Sequence, residues 1–140
     1  MTKSLAPLRR VVQRDFDAGD CGIACVAMLT GRPYEDVLSV FRRLPGKATT
    51  ARLYTSHKDL QQILTTFNIK TYKERFKSWA HLTGHVIVKV NVKNDNTWHW
   101  IVRDGGRSRP VAHDPKPGKR RLIIQFRGLK GSGYVLRVDA

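Results

Sequence analysis

Apolar residues recur at helical spacing as far as Asn68 and at a spacing near two beyond it, and this change of period is what most limits the folds open to the chain. The stretch Asp20–Leu29 carries apolar residues on every side, the mark of a buried helix. Gly31 stands where a left-handed residue closes a helix. Pro33 suits the first turn of a second helix, with Glu35 and Asp36 near its positive end and Arg42 and Arg43 near its negative end. Val37, Leu38, Phe41 and Leu44 form its apolar stripe, and Pro45-Gly46 stops it. After a polar connector, Ser56 with Asp59 makes a capping box for a third helix that Leu60, Ile63, Leu64 and Phe67 carry to about Phe67.

Strands are predicted over Ile69–Lys73, His85–Val92, Thr97–Arg103, Ser108–His113, Arg121–Phe126 and Tyr134–Val138. Asn94–Asn96, Asp104–Gly106 and the glycine-rich Gly128–Gly133 supply turns. Helices first and antiparallel strands second make an α+β domain. At 140 residues the chain has room for one core, so a single domain over 1–140 is expected, with 1–14 as a basic N-terminal arm.

Charge is the unusual property: 26 Lys and Arg oppose 11 Asp and Glu, a net +15. An acidic protein, nucleic acid or an anionic membrane could each answer it. The basic residues are spread along the whole length, however, with only short clusters at Arg103–Arg109 and Lys116–Arg121. No zinc-finger spacing, leucine-zipper repeat or aromatic RNA-binding signature accompanies them. The charge therefore reads as solubility, or as attraction to an acidic partner, ahead of a dedicated nucleic-acid site. No apolar run approaches the roughly 20 residues that span a bilayer. The N-terminus lacks a signal-peptide h-region and cleavage site, so a reducing, cytoplasmic setting is expected. Cys21 and Cys25, one helical turn apart, do not make a disulfide framework. Zinc ligands come as close pairs on both sides and only one pair exists here, so no metal or other cofactor is expected.

Chemistry concentrates at Asp17-Ala-Gly-Asp-Cys21-Gly22. A cysteine in the first turn of a buried helix meets unpaired amides and the positive end of the dipole, which favour thiolate. Gly22 leaves room beside the sulfur for a substrate carbonyl, and the Cys21 amide could bind an oxyanion. Cys25, one turn further in between Ala24 and Val26, reads as core. Cys21 read alone could equally be a buried apolar residue. A thiol needs a base. Of five histidines, His57 falls early in the third helix at an exposed position, His81 in a connector and His85 at a strand start. His113 and Asp114 should point to opposite faces of a strand. His99 stands between Trp98 and Trp100 at the opening of a central strand, where neighbours fix its ring. Asp114, before Pro115, ends the next strand, so its carboxylate can reach the imidazole Nδ1 and leave Nε2 facing the thiol.

The segment Gln13…Asp20-Cys21-Gly22-Ile-Ala24-Cys25-Val-Ala27-Met28-Leu-Thr-Gly31-Arg-Pro-Tyr34, with His99-Trp-Ile-Val102 and His-Asp114-Pro115, resembles the bacteriocin-processing (double-glycine leader) peptidases. The resemblance implies a papain-like fold and peptide-bond cleavage by a triad of Cys21, His99 and Asp114. It also implies an oxyanion role for a glutamine before the nucleophile, for which Gln13 is the candidate. Gln13 lies about two residues further from Cys21 than that family's usual spacing, where Asp15 stands instead. No transmembrane or ATPase segment follows, so a free-standing domain is expected: a processing peptidase, a phage protein or a toxin domain. The expected partner is a peptide or protein substrate, acidic if charge steers it. Glutamine deamidation and acyl transfer pass through the same thioester and stay open, as does a non-catalytic basic module that binds nucleic acid or an acidic protein.

Overall fold

A computed structural model describes residues 6–119 and 122–139. Three helices, α1 (Cys21–Thr30), α2 (Tyr34–Arg42) and α3 (His57–Thr66), precede five strands. These are β1 (Lys70–Arg75), β2 (His85–Val90), β3 (His99–Asp104), β4 (Val111–His113) and β5 (Tyr134–Asp139). Every pairing is antiparallel, and the order across the sheet is β1-β5-β2-β3-β4. The last strand is thus inserted between the first two. The α+β reading and the helix-then-strand order hold.

The helices cover one face of the sheet. Ile23, Val26, Phe41, Leu60 and Leu64 pack there against Ile87, Trp100, Val102 and Leu136. On the opposite face Val86, Val88, Ile101, Ala112 and Val135 lie beneath Phe76, Trp79, Phe126 and Leu129, which come from loops. Trp79 stacks on Phe126 at 4.6 Å and donates its indole N–H to the Leu129 carbonyl. With both faces covered, β2 reads as a continuous apolar run instead of an alternating one. Buried on all sides, α1 behaves as its sequence requires, and Gly31 closes it in the left-handed region. The capping box at Ser56 and Asp59 is formed in both directions. Pro33 is the cap before α2, one residue earlier than predicted.

Several strands differ from their predicted extents. β2 stops at Val90 because Asn91 takes a positive φ of 54°. β4 has only three residues, bounded by Pro110 and Pro115, which lack the N–H a ladder needs. The predicted strand Arg121–Phe126 is consequently not a strand over its described residues. It has so little edge to pair with that only Ile123 bridges to Ala112, leaving Leu122 and Ile124 exposed. Arg121 itself lies outside the described residues. Asp104, predicted to open a turn, ends β3 as a fully buried carboxylate.

That carboxylate fastens the N-terminal arm. It accepts from the Leu8 N–H at 2.9 Å, Gly106 N–H at 2.9 Å, Arg107 Nε at 3.0 Å and His113 Nε2 at 3.0 Å. Burial works to raise the Asp104 pKa, but these donors outweigh it and hold the group below the usual carboxylate range. Gly106 permits the crossing: a Cβ there would stand 2.3 Å from the Ala6 carbonyl oxygen. Further along, Arg10 donates to the Asp114 and Lys116 carbonyls, and the Gln13 N–H to that of Pro115. The arm therefore runs across the end of β4 and delivers Gln13 beside the start of α1.

Candidate active site

Cys21 begins α1 because Asp20, with φ −85° and ψ 19°, is the last non-helical residue. The Asp20 side chain does not cap the helix. It turns back to accept from the Arg14 and Asp15 N–H groups, from Gln13 Nε2 at 2.9 Å and from the Tyr34 hydroxyl at 2.5 Å. Burial opposes its ionisation, yet this set of donors keeps its pKa lowered. Cys21 is only 8% exposed but lines an open cleft, whereas Cys25 is wholly enclosed. Burial first, then the charges of Cys21, Asp114 and Asp20, drives the Cys25 thiol well above its ordinary range, so Cys25 stays protonated. It sits in the core, as its sequence position predicts.

His99 opens β3, and its Nε2 lies 2.6 Å from Asp114 Oδ1, just past the end of β4. Asp114 Oδ1 also accepts the Lys116 N–H at 2.9 Å, which orients the carboxylate. Burial lowers the imidazole pKa, but hydrogen bonds to Asp114 and to Cys21, with the charges of both, overcome it and raise it to about 9. The ring thus holds two protons at neutral pH. The Asp114 pKa is lowered by the same pair, against a burial effect that alone would raise it. The three side chains singled out from the sequence converge, with one correction. Asp114 binds Nε2, so Nδ1 is the nitrogen left for the thiol, the reverse of the predicted assignment. Asp114 lies past the end of β4, and the ring nitrogen further from the His99 backbone is the one that reaches it.

Gln13 is buried with its Nε2 on Asp20, while its Oε1 has no hydrogen-bond partner. Nε2 carries a second proton that the bond to Asp20 does not use. The extra residues between Gln13 and Cys21 are taken up by a 3-10 turn at Phe16–Ala18 and by Gly19 in the left-handed region. Gly22 does not open space beside the sulfur for substrate. A Cβ there would lie 1.9 Å from Thr55 Oγ1, so the glycine lets the chain before α3 pack directly on α1.

The cleft holds about 310 Å³ and is walled by Gly19, Tyr54, Thr55, Trp98 and Trp100 in addition to Cys21. Trp100 is fixed by donating to the Thr55 carbonyl at 3.1 Å, and Trp98 meets it edge-on at 5.9 Å. Trp98 precedes β3 and stays partly exposed. The remaining histidines do other work. His57, expected to be exposed, is half-buried: it packs edge-on against Trp100 at 5.0 Å, and its Nε2 lies 2.6 Å from the Tyr134 carbonyl oxygen. His85 and His113 lie beside Asp104, and His113 and Asp114 do face opposite ways. Among the described residues no three His, Cys, Asp or Glu side chains are arranged to hold a metal ion, and no helix is long and apolar enough to cross a membrane. Sequence reasoning missed Asp20 as the hub of the loop, although its place directly before Cys21 was a signal. It also missed Tyr54 and Thr55, which nothing local marks.

Helices layered on an antiparallel sheet, with a thiol at the start of the first helix meeting an imidazole held by a carboxylate, define the papain-like cysteine peptidases. Solved structures of other proteins share the fold. A double glycine motif protease from an AMS/PCAT transporter, in complex with the leader peptide, matches with a TM-score of 0.67 and 19% identity, over 99% of this chain and 95% of that one. The peptidase domain of Streptococcus mutans ComA matches with a TM-score of 0.58 and 21% identity, over 94% of this chain and 99% of that one. No curated protein sequence matches significantly. The chain belongs to the peptidase C39 family, whose model matches residues 9–130. It is accordingly a cysteine peptidase, as the motif resemblance implied.

Proposed function

We propose that the protein cleaves a peptide at the Cys21 sulfur with His99 and Asp114, and that its substrate is a leader-type peptide like that bound by the structurally similar transporter protease. The observation that carries this reading is the 2.6 Å bond from His99 to Asp114, on a ring that also hydrogen-bonds Cys21 at the wall of the cleft. With the proton already on His99 Nδ1, the Cys21 sulfur attacks the scissile carbonyl as the thiolate. The Cys21 N–H and the second amide proton of Gln13 stabilise the tetrahedral oxyanion. As the intermediate collapses, the C–N bond breaks and the imidazolium protonates the departing amine. Water, activated by the now neutral ring, releases the acyl group from the thioester. Asp114 keeps the ring oriented through Nε2 in every step. Two unpaired thiols suit work in a reducing cytoplasm.

Incubating the protein with a peptide set that includes double-glycine leaders, and reading products by mass spectrometry, tests the reaction. Backbone cleavage that disappears in Cys21→Ala and persists in Cys25→Ala is the expected result. A one-dalton gain on glutamine side chains without cleavage would instead make the protein a deamidase on the same residues. Cleavage surviving in Cys21→Ala would refute the assignment.

A further inference from the structure

We propose that the cleft continues into a basic, aromatic-walled subsite built by Lys73, Arg75 and Lys89 around Tyr134 and Trp98, and that it selects substrates bearing Asp or Glu several residues from the scissile bond. The inference deepens the peptidase reading and rests on it. From the sulfur the wall runs to Trp100, then divides. On one side Trp98 meets Trp100 at 5.9 Å, with Lys89 Nζ 4.8 Å from its ring centre. On the other, His57 joins Trp100 at 5.0 Å to Tyr134 at 6.3 Å, with Lys73 Nζ 4.5 Å and Arg75 Cζ 5.8 Å from the tyrosine ring.

Chain topology creates this cluster. β5 lies between β1 and β2, so Tyr134 pairs with Arg75 while Lys73 pairs with Leu136, two residues along on the same face. Lys89 is opposite Trp100 and reaches over the loop at Gly133, where an added Cβ would stand 3.2 Å from its Nζ. Trp98 and Tyr134 are 37% and 41% exposed, which makes them available to a ligand.

None of the three cations pairs with a carboxylate among the described residues. The acidic groups nearby are already engaged: Glu74 with Arg137, Asp59 with Ser56 and with Lys47 at 3.9 Å, and Asp95 with Thr97. The field of Lys89 and Lys73 is felt at His57, whose pKa burial lowers first and these two charges lower further. Three unneutralised cations beside an apolar wall complement a carboxylate side chain on an extended peptide. At about 3.3 Å per residue, the two ring-to-ring steps beyond Trp100, 5.0 and 6.3 Å, allow at most roughly three residues of extended peptide. Aromatic faces ringed by cations also suit single-stranded nucleic acid. Trp98 and Trp100, to which the cluster is joined, line the cleft at Cys21, and this favours the peptide.

The test compares fluorogenic double-glycine leader peptides with Glu at three to five residues from the scissile bond, on either side of it, with the same peptides carrying Gln. The wild-type enzyme should prefer Glu about 5- to 20-fold in kcat/KM on one side, and 0.5 M salt should erase that preference. Lys73→Gln/Arg75→Gln/Lys89→Gln should lose it. Arg9→Gln/Arg32→Gln/Arg43→Gln, which removes equal charge elsewhere, should keep it. Cleavage with no preference, or with a preference lost equally in both triple variants, overturns the subsite and leaves the peptidase reading intact. If no peptide is cut, anisotropy with labelled Glu and Gln peptides still decides. Glu-dependent binding lost only in the first triple variant supports the subsite while the cleavage reading fails. Binding without that dependence, or a single-stranded oligonucleotide that outcompetes the Glu peptide, overturns it.

Discussion

Replacing Asp114 by Asn keeps the shape of the side chain but removes the charge that holds the His99 proton. Against the lowering effect of burial, the carboxylate and the Cys21 sulfur push the imidazole up to about 9, from an ordinary 6.5. Each pH unit corresponds to about 1.4 kcal/mol, so the folded state favours the protonated ring by about 3 kcal/mol over an unperturbed histidine. A hydrogen bond to a charged partner is worth about 1.5–3 kcal/mol, so losing the carboxylate should lower the His99 pKa by roughly 1–2 units. Because the folded pKa lies above the unfolded one, the stabilisation is complete below about 6.5 and is lost as pH rises through about 9. The wild type should therefore lose stability to urea between those values, and Asp114→Asn should show a smaller loss ending at lower pH. NMR of imidazole-labelled protein would follow the ring directly, and the alkaline limb of kcat/KM should move down with it. A His99 titration unchanged within about 0.3 unit would refute Asp114 as the partner, because a charge-assisted bond cannot vanish at so small an effect.

Gln13→Ala should lower kcat by about 100- to 1000-fold if its free amide proton serves the oxyanion, with little change in stability to urea relative to that loss. Asp20→Asn, which loosens the hold on Gln13 and the loop, should slow turnover in the same direction while leaving the His99 titration near the wild-type value. Gly22→Ala forces a Cβ to within 1.9 Å of Thr55 Oγ1 and should cost about 1–3 kcal/mol in urea denaturation. Asp104→Ala removes the acceptor of four donors and should free the arm, read as rapid hydrogen exchange at Leu8 and early proteolysis near Arg9 and Arg10.

Much of this protein was legible in the residue order because the signals are local. A helix apolar on every side has to be buried, a Ser56–Asp59 box starts a helix wherever it falls, and a cysteine in a first turn faces the dipole without help from distant chain. The carboxylate after β4 was readable too, since a hairpin puts consecutive strands side by side. Three things lay beyond reach. Insertion of β5 between β1 and β2 depends on long-range pairing, which alternation along one strand does not encode, and the cluster around Tyr134 follows from it. Which imidazole nitrogen meets Asp114 is decided by where the chain leaving β4 places the carboxylate relative to His99. The role of Gly22 is set by Thr55, a residue far along the chain that happens to pack on α1. Local signals marked out the helices, most of the strands and the candidate reactive groups; the distances between those groups, and so the chemistry they can share, came from the packing of helices on a sheet whose strand order no local signal specifies.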